Sequence, residues 1–111
     1  MELTYLDLYG TVPTNLTSLV SLTKVALYGT NLMGPIPKQI ATLHELNYLD
    51  LSFNALIGEI PSEICSLLKL QEIYLNSNQL EGSIPVQISN LTSLKWLTLY
   101  ENQLSVEIPI P

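Results

Sequence analysis

The sequence predicts an α/β solenoid of about 4.5 similar turns, with short parallel strands on the inner face and short helical or 3-10 segments outside. Three observations predict it. Leucines stand at Leu19, Leu43, Leu67 and Leu91, each 24 residues after the last. Apolar residues recur at matched places inside each period: Leu70, Ile73, Leu75, Leu80 and Ile84 repeat Leu46, Leu49, Leu51, Leu56 and Ile60. The punctuation repeats as well, with Asn78, Gly82 and Pro85 matching Asn54, Gly58 and Pro61.

Period and punctuation set the local structure of each copy. Ile73-x-Leu75 alternates inward and outward, the mark of a short strand with one buried face. Asn78 follows where the chain must turn away from that strand. Gly82 suits a close backbone approach, and Pro85 pushes Ile84 towards an extended conformation that fits a second short strand. The proline also begins the outer segment, where Ile88 and Leu91 point inward at near-helical spacing. One copy cannot bury its own apolar face, so each must complete the burial of its neighbour, and at least three are needed.

The pattern Leu70-x-x-Ile73-x-Leu75-x-x-Asn78-x-Leu80-x-Gly82-x-Ile84-Pro85 resembles the plant-type leucine-rich repeat, and the resemblance covers almost the whole chain. It implies a right-handed horseshoe segment with a parallel concave sheet. It also implies a ladder of Asn54, Asn78 and Asn102, whose amides satisfy backbone groups of the turns, as buried backbone groups require. Extracellular members of the family usually carry paired-cysteine caps. Here both are missing, which implies a fragment of something larger or a truncated product without its export signal.

A single period over 111 residues supports one domain, 1–111, with copies at about 1–18, 19–42, 43–66, 67–90 and 91–111. Copy one is irregular. The string Leu3-Thr-Tyr-Leu6-Asp-Leu8-Tyr9-Gly10-Thr11 matches Leu22-Thr-Lys-Val25-Ala-Leu27-Tyr28-Gly29-Thr30, which places a five-residue deletion after Thr11. A strict 24-residue register is the competing alignment, and the shared string favours the deletion. Copy two has Thr30 in place of the ladder asparagine, a weaker turn. Copy five has Val106 where glycine is expected. Uncapped ends leave strand edges and a cross-section of core, which promote self-association.

Charge excludes several function classes. Four lysines and no arginine stand against ten carboxylates, for a net charge of −6. Nucleic acid and anionic membrane surfaces are therefore poor partners, because phosphate contacts need a basic stripe. No apolar run approaches the ~20 residues of a membrane span, and no signal peptide is visible at Met1-Glu2-Leu3. Cys65 is the only cysteine, so no intrachain disulfide forms.

Function is expected on the concave face, where residues between the buried strand positions point outward. Aligned copies give three columns: Tyr5, Lys24, Tyr48, Glu72, Trp96; then Asp7, Ala26, Asp50, Tyr74, Thr98; then Tyr9, Tyr28, Ser52, Asn76, Tyr100. All six tyrosines and the only tryptophan fall in this set under the deletion register. Such rings offer large contact area with a polar handle and are enriched at binding hot spots. The competing explanation is that aromatic residues simply suit exposed strands. Lys24 beside Tyr48 is placed for a weak cation–π contact, expected to be incidental to function.

Catalysis is not expected. Asp50 and Glu72 lie diagonally on adjacent strands, but an open solvated sheet supplies neither a cleft nor a raised pKa. His44 has no second histidine or cysteine for a metal, and Cys65 reads as a small packing residue on the outer side. No Gly-rich phosphate loop is present, so no cofactor is expected. Two glycosylation sequons occur, at Asn15 and Asn90.

The expected function is a non-catalytic protein- or peptide-binding module. It resembles the ectodomain repeats of plant receptor-like kinases and receptor-like proteins. Family resemblance implies a peptide ligand or a co-receptor as partner, and a place at the plasma membrane or outside the cell. A polygalacturonase-inhibitor-like defence protein, which uses the same repeat, and a remnant with no ligand are the alternatives.

Overall fold

The computed structural model describes residues 2–4, 12 and 19–105. In chain order the described strands are β1 (Glu2–Thr4), β2 (Lys24–Ala26), β3 (Met33–Pro35), β4 (Tyr48–Asp50), β5 (Ala55–Glu59), β6 (Glu72–Tyr74), β7 (Gln79–Ser83), β8 (Trp96–Thr98) and β9 (Gln103–Ser105). They form two parallel sheets, ordered β1-β2-β4-β6-β8 and β3-β5-β7-β9. Five-residue 3-10 turns at Lys38–Thr42, Ser62–Ser66 and Val86–Asn90 form the third side of each coil. The solenoid expected from the 24-residue period is the observed fold.

Strand β4 shows why these residues form strands here. Leu49 between Tyr48 and Asp50 is fully buried while its neighbours are half-buried, so alternation sends one side chain in three to the core. Leu46, Leu51 and Leu56 are also sealed from solvent, and Leu43 and Ile64 enter from the outer side. The second strand of each regular copy ends just before the Ile-Pro pair. Pro37, Pro61 and Pro85, with φ of −74°, −67° and −56°, then open the 3-10 turns in extended geometry. In the last described coil Leu94, Leu97, Leu99 and Leu104 are only partly buried against the core.

The asparagine ladder is present. Asn78 Nδ2 donates to the carbonyls of Leu51, Leu75 and Asn76 at 3.0, 3.2 and 3.2 Å. Its Oδ1 accepts from Leu56 N at 3.1 Å. Asn54 and Asn102 repeat the arrangement on Leu27, Leu32 and on Leu75, Leu80. Thr30, at the equivalent place in copy two, donates from Oγ1 to the Leu27 carbonyl within its own turn at 2.7 Å.

Copy one follows neither expected register. Glu2, Leu3 and Thr4 stand opposite Lys24, Val25 and Ala26. The deletion alignment would have put Tyr5 opposite Lys24, and the strict period would have put Glu2 opposite Ala26. A repeated string marks like positions, whereas register is a matter of which backbone groups pair, and the two need not agree. Tyr5, Asp7, Tyr9 and Asn15 lie outside the described residues.

Candidate functional site

The first sheet presents the candidate site. Backbone pairing lines up Lys24, Tyr48, Glu72 and Trp96 in one row, and Ala26, Asp50, Tyr74 and Thr98 in the next. From copy two onward these are the columns expected from the sequence, but in copy one Glu2 and Thr4, not Tyr5 and Asp7, stand opposite Lys24 and Ala26. Burial differs within them: Trp96 is 60 % exposed and Ala26 only 4 %.

A chain of aromatic and ionic contacts runs across the rows. Lys24 Nζ sits 4.7 Å from the Tyr48 ring centroid. The Tyr48 and Tyr74 rings are 5.5 Å apart at a 46° tilt, within the range of favourable aromatic pairs. The Tyr74 hydroxyl donates to Glu72 Oε1 at 2.7 Å. That bond holds the phenol in its neutral form, and with partial burial and the neighbouring negative charge it pushes the Tyr74 pKa up to about 12.

The third column departs from expectation. Tyr28 and Tyr100 are exposed, but Ser52 and Asn76 are buried at 4 % and 3 %. The cause is the backbone of the next residue. Gly29, Phe53, Ser77 and Glu101 all have positive φ, at 65°, 56°, 61° and 56°, so the chain bends sharply there. Small polar residues before the bend are drawn under the surface, whereas tyrosines are too large to follow. Ser52 Oγ donates to Asp50 Oδ1, and Asn76 Oδ1 accepts from Thr98 Oγ1 at 2.6 Å. Asn76, expected among the contact residues, thus forms part of the floor.

The same bend brings up a residue that sequence reasoning passed over. Phe53 is 57 % exposed and lines a shallow depression of about 390 Å³ with Tyr28, Tyr74, Trp96 and Tyr100. Its floor is Asp50, Ser52, Asn76 and Thr98. A bulky residue in the left-handed region is uncommon and costs on the order of 1–2 kcal/mol. The signal was available: Gly29 occupies that place in copy two, marking a backbone that prefers glycine.

Other singled-out residues lie away from the depression. His44 is exposed, with Nδ1 3.1 Å from the Thr42 carbonyl. Cys65 is buried in an outer 3-10 turn, and burial pushes its thiol pKa up, as for an inert packing residue. Asn90 is exposed at the end of the Val86–Asn90 turn. Among the described residues no group of three His, Cys, Asp or Glu side chains could hold a metal. Among them, too, no helix is long and apolar enough to cross a membrane.

A family model described as "Leucine rich repeat" matches residues 44–104. A comparison with curated protein sequences finds no match. Solved structures do match. The plant peptide hormone receptor RGFR1, in complex with RGF2, is 44 % identical, covering 98 % of this chain and 16 % of that one, with a TM-score of 0.81. A chain of the BIR3–SERK2 complex from Arabidopsis thaliana is 42 % identical, covering 98 % and 58 % respectively, with a TM-score of 0.89. The Arabidopsis receptor kinase HAESA, in complex with the peptide hormone IDA and the co-receptor SERK1, is 38 % identical, covering 87 % and 16 %, with a TM-score of 0.83. The chain therefore spans between 16 % and 58 % of the length of these structures.

Proposed function

Since the chain belongs to the leucine-rich repeat family, we propose that it is a non-catalytic peptide-binding module of a plant cell-surface receptor-like protein or receptor kinase, displayed outside the cell. Residues 1–111 act as a single repeat domain in this reading. The observation that carries it is the concave depression walled by Tyr28, Phe53, Tyr74, Trp96 and Tyr100. Four of these rings are more than two-fifths exposed, an unusual outlay of aromatic surface unless something covers it.

Support also comes from what the similar structures hold: a peptide hormone receptor with its peptide, and a receptor kinase with peptide and co-receptor. The ligand in this reading is a short peptide laid across β4, β6 and β8, with a co-receptor protein as a second partner. Lys24, Tyr48 and Glu72 extend the contact surface beyond the depression, and Thr98 belongs to its floor.

Panning a displayed peptide library on the chain tests this. Peptides enriched on the wild type should be lost on a Tyr48→Ala, Tyr74→Ala, Trp96→Ala triple variant whose circular dichroism is unchanged. They should be retained on Gln87→Ala, on the outer side. Loss on Gln87→Ala with retention on the triple variant would move the site off the concave face.

A further inference from the structure

Building on that reading of the concave face, we propose that the group anchored in the depression is a cationic peptide side chain, an arginine in particular. The hydrogen-bonding inventory of the site points there. Several hydroxyl donors in and beside it are already engaged: Ser52 Oγ on Asp50, Tyr74 hydroxyl on Glu72, Thr98 Oγ1 on Asn76, and Ser77 Oγ on Glu101, whereas the Trp96 indole N–H and the Tyr100 hydroxyl carry no hydrogen bond among the described residues. Beside those two donors, the depression leaves open a carboxylate and the faces of exposed rings. Asp50 takes both Ser52 bonds on Oδ1, which leaves Oδ2 open among the described residues.

No lysine lines the depression. Lys24 is held over Tyr48, and Lys69 is paired with Glu45 at 2.6 Å. An anionic ligand group would find no counter-charge here and would lose its hydration uncompensated. A guanidinium meets the opposite conditions. Its plane stacks on an exposed ring such as Trp96 or Tyr100, and its N–H fork reaches a carboxylate with an open oxygen. Arginine fits better than lysine because it is planar and more weakly hydrated. The net charge of −6 steers such a ligand inward from a distance.

Trp96 is the only tryptophan, so its indole N–H resonance reports on the depression alone. The probes are the peptide acetyl-Gly-Pro-Arg-Pro-Gly-amide and its twin with neutral citrulline in place of arginine, titrated into the full chain at physiological ionic strength. The arginine peptide should shift the indole signal and bind at least about threefold more tightly than the citrulline peptide. Asp50→Asn keeps an Oδ1 acceptor for Ser52 but removes the charge, and should erase that preference. Glu63→Gln makes the same charge change on the outer side and should leave it intact. Equal response to the two peptides, or a preference that survives Asp50→Asn, overturns the proposal. If neutral or acidic peptides shift the indole and the arginine peptide does not, the cationic anchor falls while peptide binding stands. If no peptide of any charge shifts it, both fall.

Discussion

The Tyr74 hydroxyl donates to Glu72 Oε1 at 2.7 Å, tying together two side chains two residues apart on one strand of the concave sheet. Tyr74 should therefore titrate near pH 12 while an ordinary tyrosine titrates at about pH 10. Because the folded pKa is the higher one, its stabilising contribution is complete below pH 10 and is lost as pH rises towards 12. Phenolate absorbance of the wild type should carry a late-titrating component that moves to lower pH in Glu72→Gln. A late component unchanged in Glu72→Gln would refute the assignment.

Asn78 is the most buried ladder residue, with three carbonyls on Nδ2 and Leu56 N on Oδ1. Asn78→Ala strands buried backbone groups, and should lower the unfolding free energy by about 2–4 kcal/mol in a urea melt. Asn102→Ala, in a less buried coil where water can substitute, should cost less. Equal costs would show that burial does not govern the ladder.

Phe53 holds φ at +56° with a ring 57 % exposed. Phe53→Gly should stabilise the fold by about 1 kcal/mol, by relieving a left-handed conformation in a bulky residue. Phe53→Ala keeps the Cβ and should give no such gain. In the binding assay both substitutions should weaken the ligand, separating the ring's contribution to the site from its burden on the fold.

Gly58 and Gly82 both have φ of 77° in the second sheet. A Cβ on Gly58 would meet nothing nearer than Pro35 Cβ at 3.9 Å, but one on Gly82 would come within 2.7 Å of Glu59 Oε1. Glu59 is exposed and can swing aside. Alanine should therefore cost about 1–2 kcal/mol at either glycine, chiefly from the backbone. A much larger loss at Gly82 that Glu59→Ala rescues would show instead that Glu59 is pinned.

The regular copies were legible because period and burial agree. Leu49, Ile73 and Leu97 mark the strand centres, and the Ile-Pro pairs mark the entry to each outer turn. The ladder followed from Asn54, Asn78 and Asn102. Three features were not legible. Ser52 and Asn76 sit in an outward column by alternation, but the left-handed residue after each rotates it under the surface. Phe53 was overlooked because periodicity counts residues and carries no sign of φ, and Gly29 at that place in copy two is its single trace. Copy one was misregistered because a repeated string identifies equivalents without fixing which backbone groups pair.

The ladder bonds all point the same way along the chain: Asn54 reaches back to Leu27, Asn78 to Leu51 and Asn102 to Leu75. During synthesis, then, each newly emerged coil lacks its clasp until the following one has cleared the ribosome. Trimming from the carboxyl side should strip the amide from the coil left behind and strand its backbone groups, while trimming from the amino side strands only a side-chain amide, which water can reach.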